Sequence, residues 1–210
     1  FIDHELTRKT AQLVQEHTHS GDIQTALEVY EIIENLLARL ASDDAPDTVK
    51  VFNLLKSIET MVASNLPQAP YLLSIGERAL AIAQAYQLRQ QATLDALQAL
   101  EELVREINQA EHERSERALS PVAFAIYWMM NKDGLPEPER MAREMDVIFE
   151  KYPHWLASSQ QERDVRRELY RALLNIQADQ ADGRAIKDTN KLPRQVEQIL
   201  RVVSRAGENA

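Results

Sequence analysis

The spacing of apolar residues is the feature that most limits the fold of this chain. Leucine, isoleucine, valine and alanine recur three and four positions apart through most of its length, as one buried face of a helix requires. Strands are marked by β-branched and aromatic residues in period-two alternation, and that pattern is not seen. Only five glycines and eight prolines interrupt the 210 residues. The sequence therefore predicts an all-α fold.

About nine helices are predicted, joined by short connections. Ser120 before Pro121, and the Ser-x-x-Glu pattern that begins at Ser159, mark two of the helix starts. We expect one compact multi-helix domain, or two helical subdomains that meet near residues 90–120. The polar stretch 179–190 is predicted to be a loop. The predicted helices span approximately residues 3–17, 26–40, 47–66, 70–88, 93–117, 122–131, 138–152, 159–177 and 193–203.

Composition and charge narrow the function classes. The net charge of −9 argues against a surface that binds nucleic acid over its whole extent, but it leaves room for a local basic stripe. Cysteine is absent, which excludes disulfides and thiolate metal sites and fits a cytoplasmic protein. No apolar run approaches the roughly 20 residues that a membrane helix needs, so no membrane partner is expected. A chain that begins at Phe1 suggests a piece of a longer polypeptide.

Sequence motifs for catalysis are missing. The glycines are spaced too widely for either of the two glycine-rich phosphate-binding motifs, G-x-x-x-x-G-K and G-x-G-x-x-G. No lysine follows an aspartate or glutamate by two positions, the signature of metal-dependent restriction nucleases. We therefore predict no catalytic residue, no metal and no cofactor on this chain.

His17 and His19 are the best candidates for metal ligands, with Glu16 beside them. Side chains two apart on a helix point about 200° away from each other, so both could bind one ion only beyond the end of the helix. A second Glu-x-x-His motif, which a di-iron bundle needs, is absent. A small helical metalloenzyme is therefore a weak alternative. The aromatic run 124–130 is predicted to be core and not a ligand pocket.

The predicted helix 159–177 carries the candidate interface. Val165, Leu169 and Leu173, with Ala172 and Ile176, form one face suited to a core. The opposite side mixes positive charge with aromatic and aliphatic surface, a composition typical of partner contacts. The alternative is a solvated stripe in which the arginines pair with Glu162, Asp164 and Glu168. The candidate interface residues are Arg163, Arg167, Tyr170, Arg171 and Leu174.

A set of collinear segments covers nearly the whole chain and carries a family resemblance. Each segment is a helix-packing pattern and none is a catalytic motif. The segments are residues 6–11, 13–14, 16–18, 29–32, 43–44, 47–54, 57–59, 74–79, 89–90, 110–111, 113–114, 119–120, 124–127, 149–153 and 163–174. In this order they resemble the C-terminal helical region of the restriction subunit of type I restriction-modification enzymes.

The resemblance implies a parent protein that is an ATP-dependent DNA translocase and endonuclease using ATP and Mg²⁺. Its nuclease and motor domains would precede this region. The helical region would dock the motor onto the methyltransferase (modification) subunit and the specificity subunit, and would meet DNA through the parent complex. One alternative is a DNA-contacting module of the same subunit that uses Arg163, Arg167 and Arg171. Another is an unrelated helical scaffold protein.

Overall fold

The computed structural model describes residues 2–20, 28–179 and 191–207. Within these ranges the chain forms nine helices and no strand, which confirms the all-α prediction. The helices are α1 (Ile2–Ser20), α2 (Leu36–Ala41), α3 (Asp47–Asn65), α4 (Leu72–Gln87), α5 (Thr93–Glu116), α6 (Pro121–Lys132), α7 (Pro138–Lys151), α8 (Ser159–Asp179) and α9 (Lys191–Gly207).

The chain divides into two compact units. Unit 1 consists of Phe1–Leu66 and Leu72–Glu116, and unit 2 consists of Pro67–Tyr71 and Arg117–Ala210. Unit 1 thus contains α1 to α5, and unit 2 contains α6 to α9. The later boundary falls inside the range 90–120 in which the sequence suggests a subdivision. The short segment 67–71 connects α3 to α4 but belongs to unit 2.

Helix α3 lies at the centre of unit 1 and packs against α1, α4 and α5. Phe52, Leu55 and Ile58 on this helix are completely buried. The ring of Phe52 meets that of Tyr86 edge-on, with 6.0 Å between their centroids. Each large apolar side chain buried in this way stabilises the fold by roughly 1.5–3 kcal/mol. Helix α4 likewise packs against α1, α3 and α5, so α3 and α4 together form the centre of unit 1.

Helix α6 provides the core of unit 2. In the run 124–130 every side chain except that of Met129 is buried, which confirms the prediction that this run is core. Phe124 stacks on Trp128 with 6.0 Å between ring centroids, and Tyr71 meets Phe124 edge-on at 5.6 Å. Such aromatic pairs add about 0.5–1.5 kcal/mol beyond their buried area. The segment 67–71 is held in unit 2 by this cluster.

Two helix starts show how the local sequence sets the boundaries. The hydroxyl of Ser120 accepts a hydrogen bond from the backbone N–H of Ala123 at 2.9 Å, as a cap before Pro121 should. Helix α8 begins at Ser159, as predicted. However, its first turn is capped by Ser158, whose hydroxyl accepts from the N–H of Gln161 at 3.3 Å.

The prediction of one long helix over 26–40 is wrong across most of its described part. Residues 28–33 form no helix, strand or turn, and α2 contains only Leu36–Ala41. We refer to residues 28–33 as the 28–33 segment. The apolar spacing of this region fits a helix, so the reason for the difference lies in its tertiary contacts.

Side chains of α3 capture the backbone of the 28–33 segment. Asn53 Oδ1 accepts from the N–H of Glu28 at 3.0 Å, and Ser57 Oγ accepts from the N–H of Tyr30 at 2.7 Å. Asn53 Nδ2 also donates to the Tyr30 hydroxyl at 2.9 Å. The backbone N–H groups of Glu28 and Tyr30, two residues apart, both face α3. An extended backbone allows this arrangement and an α-helix does not. Tyr30, Asn53 and Ser57 are all buried, so these bonds satisfy groups that have lost water.

Candidate interface on helix α8

Helix α8 has one buried face and one exposed face. Val165, Leu169 and Leu173 are at most 1% exposed and pack into unit 2. The five candidate residues lie on the remaining surface, with the three arginines and Leu174 exposed and Tyr170 half-buried. Leu174 is 45% exposed and lies among the arginines. We call Arg163, Arg167, Tyr170, Arg171 and Leu174 the α8 surface.

The arginines of the α8 surface are only partly neutralised. Arg167 pairs with Asp164 at 2.7 Å, as the solvated-stripe alternative predicts. Arg163 donates to the amide oxygen of Gln160 at 2.8 Å and not to Glu162. Arg171 makes no ion pair with any described residue. Only one of the three arginines therefore has the acidic partner that the solvated-stripe alternative requires.

The other two acids of that alternative are engaged elsewhere. Glu162 accepts from Arg166 at 3.0 Å. Glu168 accepts from Lys151 Nζ and from the Tyr152 hydroxyl, both at 2.7 Å. The ammonium of Lys151, and then the Tyr152 hydroxyl, lower the pKa of Glu168, and Glu168 in turn raises the pKa of Lys151. Glu168 thus ties α8 to the end of α7, Glu162 is engaged within α8, and neither forms an ion pair with an arginine of the α8 surface.

Helix α9 adds positive charge next to α8. Arg166 forms an ion pair with Glu197 of α9, and this contact raises the pKa of the guanidinium. Val196 and Ile199 are fully buried, while Arg194 is exposed and has no ion pair within the described part of the chain. The sequence analysis missed Arg194. The signal was present, because the apolar spacing of α9 places residue 194 opposite its buried face.

Charge is distributed unequally between the two units. Acidic and basic side chains balance to within one charge in unit 2, so the net charge of −9 comes from unit 1. The overall acidity of the chain therefore does not describe the environment of α8. Within unit 2, an anionic group that approaches the α8 surface meets arginines that lack an acidic partner among the described residues.

The histidines provide no metal centre in the described part of the chain. No group of three or more histidine, aspartate and glutamate side chains is placed there to hold an ion. His112 is 63% exposed with its Nε2 3.4 Å from Glu116 Oε1, and His154 is also exposed. Helix α1 continues to Ser20. The side chains of His17 and His19 lie outside the described residues.

Comparison with known proteins adds no further assignment. No family model, no curated protein and no solved structure matches this chain. Within the residues that the structure describes, no helix is both long enough and apolar enough to cross a bilayer. The chemistry of the α8 surface is that of recognition: planar guanidinium donors for carboxylate or phosphate oxygens, beside a half-buried tyrosine and an exposed leucine.

Proposed function

We propose that this chain is the helical assembly domain of a type I restriction enzyme's restriction subunit and that the α8 surface docks it onto the methyltransferase subunit. The domain would carry no chemistry of its own. ATP, Mg²⁺ and the catalytic residues would belong to motor and nuclease domains elsewhere in the parent subunit. The collinear sequence segments support the family assignment, and the α8 surface supports the docking role.

The mixed composition of the α8 surface is the observation that carries this proposal. Arginine and tyrosine are the residue types enriched at the centres of protein interfaces, and here they lie beside the exposed Leu174. A helix face that only meets solvent has no need of an exposed leucine in line with arginines. The guanidinium of Arg171, which has no ion-pair partner in the described residues, is available for a carboxylate on the partner.

The docking role is tested by mixing the purified chain with a cognate methyltransferase–specificity complex and following co-elution in size exclusion. We expect a complex at micromolar concentration. The double variant Arg171→Ala/Leu174→Ser should weaken it by about tenfold or more, because central arginine and apolar anchors dominate interface energies. Failure of the unaltered chain to co-elute would overturn the proposal.

Leu156→Ser is the matched control. Leu156 is also in unit 2 and is 49% exposed, but it lies before α8. Its replacement should leave the complex intact. If Leu156→Ser weakens the complex as much as the double variant does, then general surface hydrophobicity, and not the α8 surface, drives the association.

A second candidate is contact with duplex DNA through the same arginines, which the charge distribution favours. Arg163, Arg171 and Arg194 are exposed in a unit that has no net negative charge. Phosphate contacts release counterions, so the logarithm of the binding constant falls with the logarithm of salt concentration by roughly 0.9 per contact. Binding of the chain to a duplex should therefore be measured over a range of salt concentrations.

Replacing Arg163, Arg167 and Arg171 with glutamine should flatten that salt dependence if the arginines touch phosphates. The matched control replaces Arg105, an exposed arginine of unit 1, with glutamine. An unchanged slope in the triple variant would dismiss the DNA role and leave protein docking as the function of this surface.

A further inference from the structure

The two edges of the 28–33 segment in unit 1 are bonded unequally by the described residues. The N–H groups of Glu28 and Tyr30 are taken by Asn53 and Ser57 of α3. The N–H groups of the intervening Val29 and of Glu31 bond to no described residue. In an extended chain, alternate residues direct their backbone groups to opposite edges. One edge of the segment therefore lies on α3. On the other edge, the carbonyl of Ile33 accepts from the N–H of Leu36 at 3.0 Å and from Nδ2 of Asn108 at 3.3 Å, while the N–H groups of Val29 and Glu31 have no partner among the described residues. We call the part of this edge at Val29 and Glu31 the open edge.

Side chains along the open segment are apolar and acidic. Val29 and Ile33 are 53% and 37% exposed, and both are among the few large apolar side chains of the chain that are exposed. With Glu31 they occupy alternate positions and so share one face of an extended backbone. Glu31 is exposed and has no ion pair with a described residue, and the same holds for Glu28 and Glu34. Unit 1 also carries the net negative charge of the chain.

We propose that the 28–33 segment is a docking site for an extended, basic peptide segment of a partner protein, which pairs with the open edge at Val29 and Glu31. Backbone pairing to an exposed edge gives affinity, and alternate side chains give selectivity. The order Val29, Glu31, Ile33 on the exposed face calls for an apolar residue, a lysine or arginine, and a second apolar residue at alternate positions of the partner. This site is separate from the α8 surface and does not depend on the function proposed for it.

The probe is a fluorescent heptapeptide, Lys-Val-Thr-Lys-Thr-Val-Lys, titrated into the full 210-residue chain and followed by anisotropy. We expect saturable binding. The same peptide with every lysine replaced by glutamate should bind about tenfold more weakly or not at all, because like charges then face each other across the pair.

N-methylation of the peptide separates backbone pairing from charge attraction. An extended peptide presents only one of its two alternate sets of amides to the open edge. Methylating that set should weaken binding by about tenfold or more, while methylating the other set should change it by less than about threefold. Equal effects from the two sets would refute the pairing, as would the absence of saturable binding.

Changes in the chain provide an independent readout. Val29→Pro removes an open N–H at a position where extended backbone suits proline, and it should abolish binding of the lysine peptide. Val29→Thr keeps the N–H, so this variant should still bind the lysine peptide. If Val29→Pro does not fold, amide hydrogen exchange in the unaltered chain decides the question: the peptide must slow exchange at Val29 and Glu31, and unchanged rates would refute the site.

Discussion

The hydroxyl group of Tyr152 donates a 2.7 Å hydrogen bond to Oε1 of Glu168, which joins the end of α7 to the middle of α8. Lys151 donates to the same carboxylate oxygen. The pKa of Glu168 is lowered because both contacts favour its charged form. This contact holds the helix that presents the α8 surface, and its contribution to stability depends on pH.

Tyr152→Phe should reduce the free energy of unfolding by about 1 kcal/mol at pH 7, since a hydrogen bond to a charged acceptor is lost. A lowered pKa in the folded state contributes stability above the ordinary glutamate value of about 4.3, and this is lost as the pH falls through the lower folded-state value. Urea unfolding at pH 7 and pH 3 should therefore show the difference shrinking in acid. Tyr170→Phe is the control, because that hydroxyl bonds to no described residue.

Leu169 and Leu174 on α8 are the same residue type on opposite faces. Leu169→Ala should cost about 2–5 kcal/mol, because it leaves a cavity at a fully buried position. Leu174→Ala should change the free energy of unfolding by no more than about 0.5 kcal/mol, since that side chain is already 45% exposed. Chemical denaturation measures both. Similar costs would mean that Leu174 is structural and not part of an interface.

Ser57→Ala should destabilise the chain by about 1–3 kcal/mol. The substitution leaves the buried N–H of Tyr30 without its acceptor. Thr60→Ala on the same helix is the control. Its hydroxyl only donates back to the Lys56 carbonyl in an exposed position, so its removal should have little effect. Thermal unfolding of the two variants would show whether the 28–33 segment is held as described.

Two helix ends share one geometry but differ in residue type. At Arg89 (φ 54°) and at Gly134 (φ 67°), the chain turns left-handed, and the N–H of the next residue bonds to the carbonyl five positions back. Arg89→Gly should stabilise the chain by roughly 0.5 kcal/mol, because glycine adopts this conformation without steric cost. Gly134→Ala should destabilise it by about 1 kcal/mol. No described atom lies within 4 Å of the added Cβ, so only the backbone conformation is responsible.

Melting temperatures of the Arg89→Gly and Gly134→Ala variants check this pair. They should shift in opposite directions. A shift in the same direction would show that the side chain of Arg89 contributes more than its backbone costs.

Most of the helices could be predicted because apolar spacing and local caps determine them. Ser120 and Pro121 fix the start of α6 through contacts within four residues, and the sequence shows them directly. The 28–33 segment could not be predicted. Its spacing fits a helix, and its real partners, Asn53 and Ser57, lie on another helix about 25 residues away. Local periodicity does not report such tertiary acceptors.

For the candidate interface, the sequence predicts which residues share a face of α8 but not which of them form ion pairs. Opposite faces of α8 follow from the positions of Val165, Leu169 and Leu173. The ion pairs cannot be derived from these positions, because Glu168 pairs with Lys151 at the end of α7 and not with an arginine of α8. Which arginines remain uncompensated is therefore a property of packing and not of spacing.

Because the segment 67–71 belongs to unit 2, part of unit 2 is synthesised before unit 1 is complete. The segment leaves the ribosome between α3 and α4, yet the rings that enclose Tyr71, those of Phe124 and Trp128, are made only with α6. A single break between residues 116 and 117 would strand Tyr71 on the wrong half. Two fragments divided at that point would each lack part of this aromatic cluster, and in a nascent chain Tyr71 has no aromatic partner until α6 has been synthesised.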